Sequence, residues 1–310
     1  MSDERSIASG RRAPGESRRA STELEGRADV RFTPSLRRRL EAFAARLEFL
    51  RRRREGAGLA TLTGGGQEWV DLRPYREGDD LRDLDWSLLA RSDRPFVRVF
   101  QREAAERWAI LLDTSASMGV GTEGKLQSAA EVAACWCAVG LERGAEVELL
   151  WLDEDEVRAR RFTRRTELGA ALQTLETCRA TGRRGLSALL AEGRLAESGR
   201  HVVLGDLLDV EPNRVLGWRE RVQDLVVGQW LARVEWSAPA DGGRRWTDPE
   251  TRAELEAPGD ASVRARYETE LSRWLEGWRA VCGRHRVRYG CFEAGRPFEE
   301  AAKVLFGLRG

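Results

Sequence analysis

The chain has 310 residues, 41% hydrophobic and 33% charged, with a net charge of +1 at neutral pH. That length can bury one large core, and so even a charge balance gives no global pull toward nucleic acid or an anionic membrane. The five cysteines (Cys135, Cys137, Cys178, Cys282 and Cys291) are irregularly spaced in a chain far larger than a disulfide-stapled domain, which points to a reducing compartment and to thiols used as small buried hydrophobes.

The opening segment MSDERSIASGRRAPGESRRAS has no apolar stretch, so no secretory signal is expected, and no later apolar run is long enough for a bilayer. A soluble, cytoplasmic protein is expected. Residues 1–30, rich in Arg, Ser, Gly and Glu, read as a disordered basic tail. Residues 31–60 hold a helix from Ser35 to about Arg54, whose Leu36, Leu40, Phe43, Leu47 and Leu50 form one apolar stripe. The arginines at its end suit the carbonyl end of the helix dipole. They lack the interleaved aromatic side chains of a nucleic-acid surface.

Residues 61–107 read as an irregular, partly extended segment ending in the strand Phe96–Phe100. Its acidic cluster Asp79, Asp80, Asp83 and Asp85 lacks the spacing of a calcium loop. Arg73, Arg76, Arg82 and Arg91 lie nearby in sequence, so an ion-pair network is expected, with Tyr75 and Trp86 as packing anchors.

Residues 108–310 alternate strands with helices, the signature of a largely parallel α/β sheet covered on both faces. The strand WAILLD is followed by a helix over Lys125–Arg143 that is apolar almost all round. A strand over Glu146–Leu152 comes next, then helices over Thr166–Cys178 and Leu186–Ala196. The strand His201–Leu204, a helix near Val215–Val222 and the strand Leu225–Leu231 lead into a hydrophilic excursion through Asp260. A long helix over Ser262–Cys282, the strand Val287–Phe292 and a closing helix complete the chain.

Ligands of open α/β sheets gather on loops at the carboxyl ends of the strands. Three loops here carry oxygen donors: Asp113-Thr114-Ser115-Ala116-Ser117 after the first strand, Thr166 before a helix, and Asp206 after HVVL. Carboxylates and hydroxyls are hard ligands, suited to magnesium or manganese and not to zinc. Three neutral hydroxyls and two carboxylates would leave such an ion able to take a carboxylate from another protein in place of water. Each piece also has a plain structural reading, Asp113 and Thr166 as helix caps and Asp206 as an ordinary strand-end residue.

DTSASM, TELGAAL and VVLGD resemble the three loops of the metal-ion-dependent adhesion site of von Willebrand factor A domains. The stretch RPYREGDDLRDLDWSLLAR resembles the hallmark of the family catalogued as domain of unknown function 58, whose members carry an A-type domain. The resemblance runs from about Gly64 to the C-terminus. It implies a von Willebrand factor A-like, Rossmann-like fold with an N-terminal helix and an irregular β-containing extension. It also implies Asp113, Ser115, Ser117, Thr166 and Asp206 as ligands of Mg2+ or Mn2+, a binding role without catalysis, and a MoxR-type AAA ATPase as partner. Gly205 departs from the family, where Ser often precedes the third-loop Asp, which puts an outer hydrogen bond in doubt.

Other chemistries fit less well. Gly119–Gly124 spells GxGxxG, but six residues separate it from the strand end, and Leu126 stands after Lys125 where a phosphate loop needs Ser or Thr. A magnesium-dependent phosphatase or other hydrolase using Asp113 would want a second Asp two residues on, where Ser115 stands, and neither His201 nor His285 is placed as a base. Nucleic-acid binding through the Arg-rich N-terminus is the remaining alternative.

Overall fold

The computed structural model describes residues 29–59, 69–75, 84–92, 94–100, 106–153, 155–192, 199–237, 244–257 and 260–308. The stripe of leucines builds helix α1 (Pro34–Leu59), which runs past the expected end near Arg54. Leu36, Leu40 and Leu47 are buried as the spacing predicts, but Leu50 is exposed and Ala44 takes part in the contact. Residues 1–28 of the expected tail lie outside the described residues, whereas its last two are tied in. Val30 is buried in the core, and Asp29 pairs with Arg179.

The extension folds as an antiparallel pair, β1 (Trp69–Pro74) and β2 (Phe96–Phe100), forming a two-stranded sheet of its own. Between them lies a short helix, α2 (Trp86–Ser92), that the sequence pattern did not reveal; Asp85 caps it by accepting a hydrogen bond from the Leu88 amide. Trp86 is 63% exposed, so it is not the packing anchor expected. It begins a helix whose outward face it occupies. Asp79, Asp80, Asp83, Arg76 and Arg82 lie outside the described residues.

The main sheet has six strands: β3 (Arg107–Leu112), β4 (Glu146–Asp153), β5 (Glu156–Phe162), β6 (Arg200–Gly205), β7 (Asp224–Leu231) and β10 (Arg288–Glu293). Their order is β10-β7-β6-β3-β4-β5, and every neighbouring pair is parallel except β4 with β5. The edge strand β5 was not anticipated. Its sequence EVRARRF is mostly charged because most of it, on both faces, is exposed.

The side-chain period of two sends Trp108, Ile110 and Leu112 to one face of β3 and Ala109 and Leu111 to the other. The first face is covered by α3 (Lys125–Glu142), α4 (Leu168–Leu175), α9 (Phe298–Leu305) and α1. α5 (Leu186–Ala191) and α8 (Ala261–Arg284) cover the second, with α6 (Pro212–Arg219) packed on α8. Helix α3 is buried almost all round, as its composition predicts, because α1 lies over the side that the sheet leaves open. Trp136 of α3 packs edge-on against Trp108 at 5.4 Å and stacks on Phe306 at 3.9 Å, contacts worth about 1 kcal/mol each beyond the area they bury.

The hydrophilic excursion contains a one-turn helix, α7 (Arg233–Trp236), and an antiparallel hairpin, β8 (Arg244–Thr247) with β9 (Glu254–Ala257). Among the described residues no helix is long and apolar enough to cross a membrane.

Candidate functional site

Read from β5 inward, the strand order places β3 beside β6, where successive connections depart in opposite directions along the sheet. At such a switch point the two loops leaving the carboxyl edge part and open a crevice. Asp113 and Asp206 leave the sheet at that point. The Asp113 amide still donates to the Leu204 carbonyl at 2.8 Å, extending the ladder one residue past β3.

Beyond Asp113 the chain turns sharply. Asp113 Oδ1 accepts the Ser115 amide at 2.9 Å. A short 3-10 turn over Ala116–Gly119 then sets Ser117 Oγ 3.0 Å from Ser115 Oγ. Thr114 plays a scaffolding part: its hydroxyl donates to the Leu152 carbonyl at 2.7 Å and accepts the Leu152 amide at 3.1 Å, tying the loop to the end of β4. On the other side the Ala116 amide donates to the Gly182 carbonyl at 2.8 Å.

Asp206 is held from three directions. Its Oδ2 accepts Lys125 Nζ at 2.9 Å, its Oδ1 accepts the Leu208 amide at 3.3 Å, and its carbonyl accepts Gln229 Nε2 at 2.8 Å. Gln229 is fixed in turn by the Tyr289 hydroxyl, which donates to Gln229 Oε1. Lys125 Nζ also donates to Glu235 Oε1 at 2.6 Å, while Glu235 Oε2 accepts the Ala232 amide ahead of α7.

Asp113, Ser115, Ser117, Asp206 and Lys125 are all buried. Burial, and then the negative charge of Asp206, push the Asp113 carboxyl well above the usual carboxylate range; the Ser115 amide hydrogen bond opposes this. Burial works to lower Lys125, but Asp206 and Glu235 outweigh it and hold the ammonium charged.

Asp113 Oδ2 is buried and has no hydrogen-bond partner. It lies against the backbone of Gly205, where a Cβ would come within 2.8 Å of that oxygen and 2.6 Å of Asp113 Cβ. The glycine before Asp206 is therefore a close-approach residue and not a missing hydrogen bond, because any side chain there collides with Asp113. Gly121, the second glycine of GxGxxG, has a similar role. Its φ is +87°, and a Cβ would stand 2.4 Å from that of Ala232. With Lys125 committed to two carboxylates, the motif is a packed turn and not a phosphate cradle.

Thr166 is not brought to this site. It is exposed, on the short turn Arg165–Glu167 that follows β5. Because β5 runs antiparallel, it ends with Phe162 beside Val147 at the start of β4, whereas Leu112, just before Asp113, pairs with Trp151 near the end of β4. The neighbouring Arg165 pairs with Glu142 at the last residue of α3, and the Asp113 loop leads into its first. An 18-residue helix separates the two positions by roughly 27 Å at 1.5 Å per residue. The loop that does close beside Ser115 precedes α5, and it meets the site through the Gly182 backbone.

The β8–β9 hairpin supplies a further group. The Glu250 carboxyl feels the charges of Asp206 and Asp209. Burial, and then those charges, raise it above the usual range.

As donors, Asp113, Ser115, Ser117 and Asp206 offer only oxygen, and the unpartnered Asp113 Oδ2 is a buried oxygen with capacity to spare. That chemistry suits a hard divalent cation. Among the described residues no three His, Cys, Asp or Glu side chains are grouped as a metal cage, so an ion at this loop would depend on the serine hydroxyls and on water.

Sequence reasoning weighed Lys125 only as a phosphate-loop lysine and did not single out Glu235 or Gln229. A signal existed for the first. A lysine on a helix apolar all round is buried only with a carboxylate partner.

Uncharacterized proteins from Mycobacterium bovis and Mycobacterium tuberculosis are each 41% identical to this chain over 69 residues, which is 22% of this chain and 21% of the relative. The matched stretch thus spans about a fifth of the length of these curated relatives. Among solved structures, that of the conserved hypothetical protein BatB from Bacteroides thetaiotaomicron matches 66% of this chain and 98% of its own at 9% identity, with a TM-score of 0.33. The family described as "Protein of unknown function DUF58" matches residues 71–275, a span that holds Asp113, Ser115, Ser117, Lys125, Asp206 and Glu235. On that match, the chain belongs to the DUF58 family.

Proposed function

We propose that this chain is a metal-dependent protein-interaction module, in which a von Willebrand factor A-like sheet presents Asp113, Ser115, Ser117 and Asp206 to a magnesium or manganese ion. The observation that carries this reading is the buried Asp113 Oδ2 without a partner, set beside two serine hydroxyls and a second carboxylate. Unpaired buried charge is destabilising, and a cation relieves it. The bound ion supplies a positive centre that exchanges one of its waters for an acidic side chain of a partner. Asp113 and the serines hold the ion, with the Ser115 amide fixing the Asp113 carboxylate. Asp206, both of whose oxygens already accept hydrogen bonds, acts through water. Thr166 has no part.

The reading is non-catalytic and cytoplasmic. Asp113 is fully buried, which speaks against in-line attack on a phosphoryl group. Family resemblance makes a MoxR-type AAA ATPase the first partner to test. The experiment is a pull-down from the native cell in magnesium or in EDTA, with wild type and with Asp113→Ala. Partner recovery by wild type in magnesium alone is the expected result; equal recovery in all four conditions rejects the reading.

A further inference from the structure

We infer that Lys125 is an internal rival of the divalent ion, holding the Asp206 carboxylate back from direct ligation. This rests on the metal-dependent reading above. The ammonium lies 2.9 Å from Asp206 Oδ2 and 2.6 Å from Glu235 Oε1, and its side chain is wholly buried. Asp206 follows Gly205, whose backbone lies against Asp113, so the ammonium and an ion at Asp113 draw on one carboxylate.

Helix formation alone does not put a cation here. Lys125 is the first residue of α3, and its N-cap, Gly124, makes no side-chain hydrogen bond. A helix N-terminus favours an anion, and a lysine is buried there only through carboxylate partners. Lys125 has two, carried by different parts of the chain.

The second partner is anchored apart from the site. Glu235 Oε2 accepts the Ala232 amide at 2.7 Å, and the Glu235 carbonyl accepts the Tyr267 hydroxyl of α8 at 2.6 Å. When Asp206 turns to an ion, the ammonium keeps Glu235 as its counter-charge, and no buried charge is left alone. The bond from the Leu208 amide to Asp206 Oδ1 is long, at 3.3 Å, so Lys125 is the firmer hold on this carboxylate.

The consequence is regulatory. While the ammonium holds Asp206, the ion keeps water where a second carboxylate would stand. Such an ion is weakly bound, and a partner's acidic side chain supplies the missing charge. Ion and partner then strengthen each other's binding reciprocally. Lys125 is a positioning residue that makes retention of the ion depend on the partner.

The probe is Mn2+, titrated into the full chain, with free ion read by electron paramagnetic resonance and inner-sphere water by proton relaxation. Wild type is expected to bind Mn2+ and Asp113→Ala to lose it. Lys125→Met should bind about ten-fold more tightly, the size of an outer-shell effect, with lower relaxation per bound ion because Asp206 displaces water. Lys125→Gln, which keeps a donor for the carboxylates, should shift both readouts the same way with less risk to folding. Adding Asp206→Asn to Lys125→Met should cancel the gain, and Lys303→Met, on the exposed side of α9, should change neither readout. Unchanged or weaker Mn2+ binding in the folded Lys125 variants, with binding still lost in Asp113→Ala, would overturn the rival and leave the proposed function standing. Binding seen in the Lys125 variants and not in wild type would support the rival and remove the proposed function. No binding by any of them would remove both.

Discussion

Lys125 Nζ lies 2.9 Å from Asp206 Oδ2, with both side chains withdrawn from solvent. Lys125 opens α3, where the helix dipole disfavours a cation, so Asp206 and Glu235 are what keep the ammonium there. Lys125→Met would leave the buried Asp206 carboxylate facing the half-buried Glu235 and is expected to lose about 3–5 kcal/mol, the range for breaking a buried pair. Urea unfolding measures it. Adding Asp206→Asn to Lys125→Met should recover part of the loss, as coupled neighbours do; strictly additive losses would mean the pair is not coupled.

Asp113→Asn should behave in the opposite sense. The amide oxygen can still accept the Ser115 amide, while repulsion from Asp206 disappears. In EDTA the variant is expected to gain about 1–2 kcal/mol, a rise of a few degrees in Tm for a chain of this size. In magnesium, wild type should gain Tm and the variant should not. A wild type whose melting ignores magnesium, or a variant less stable than wild type in EDTA, would count against a cation at Asp113.

Gly205→Ala places a Cβ 2.6 Å from that of Asp113. The backbone of β6 must shift to accept it, at about 1–3 kcal/mol for an overpacked core position. The same shift moves Asp206 relative to Asp113, so Mn2+ affinity should fall together with Tm. Thermal melting and Mn2+ titration of the same sample test the linkage, and a tolerated alanine would show that the strands separate more easily than their packing implies.

Thr166→Ala should leave Mn2+ affinity and partner recovery at wild-type levels and change stability by under about 0.5 kcal/mol, as exposed positions do. A drop in metal affinity comparable to that of Asp113→Ala would mean that the edge strand β5 rearranges when the site is loaded.

The error at Thr166 has one physical origin. A short charged edge strand was missed because EVRARRF buries little of itself, and one undetected antiparallel strand reverses the direction of the chain. The loop after it then emerges at the opposite edge of the sheet. The motif at Thr166 looked right in sequence, but position in an α/β sheet depends on counting every reversal.

The interior strands and α3 were legible in the sequence because burial on all sides demands an unbroken apolar composition, and the parallel α/β class follows from their alternation. The same periodicity marks the ends of β3 and β6, and so the placing of Asp113 and Asp206 at carboxyl ends of strands. Folding alone decided that these two ends are neighbours, since the strand order is set by which faces pack and not by either local stretch. It also decided that Lys125 reaches Asp206, 81 positions away. A side chain's composition records whether it is buried; only the packed chain fixes which partner it meets there.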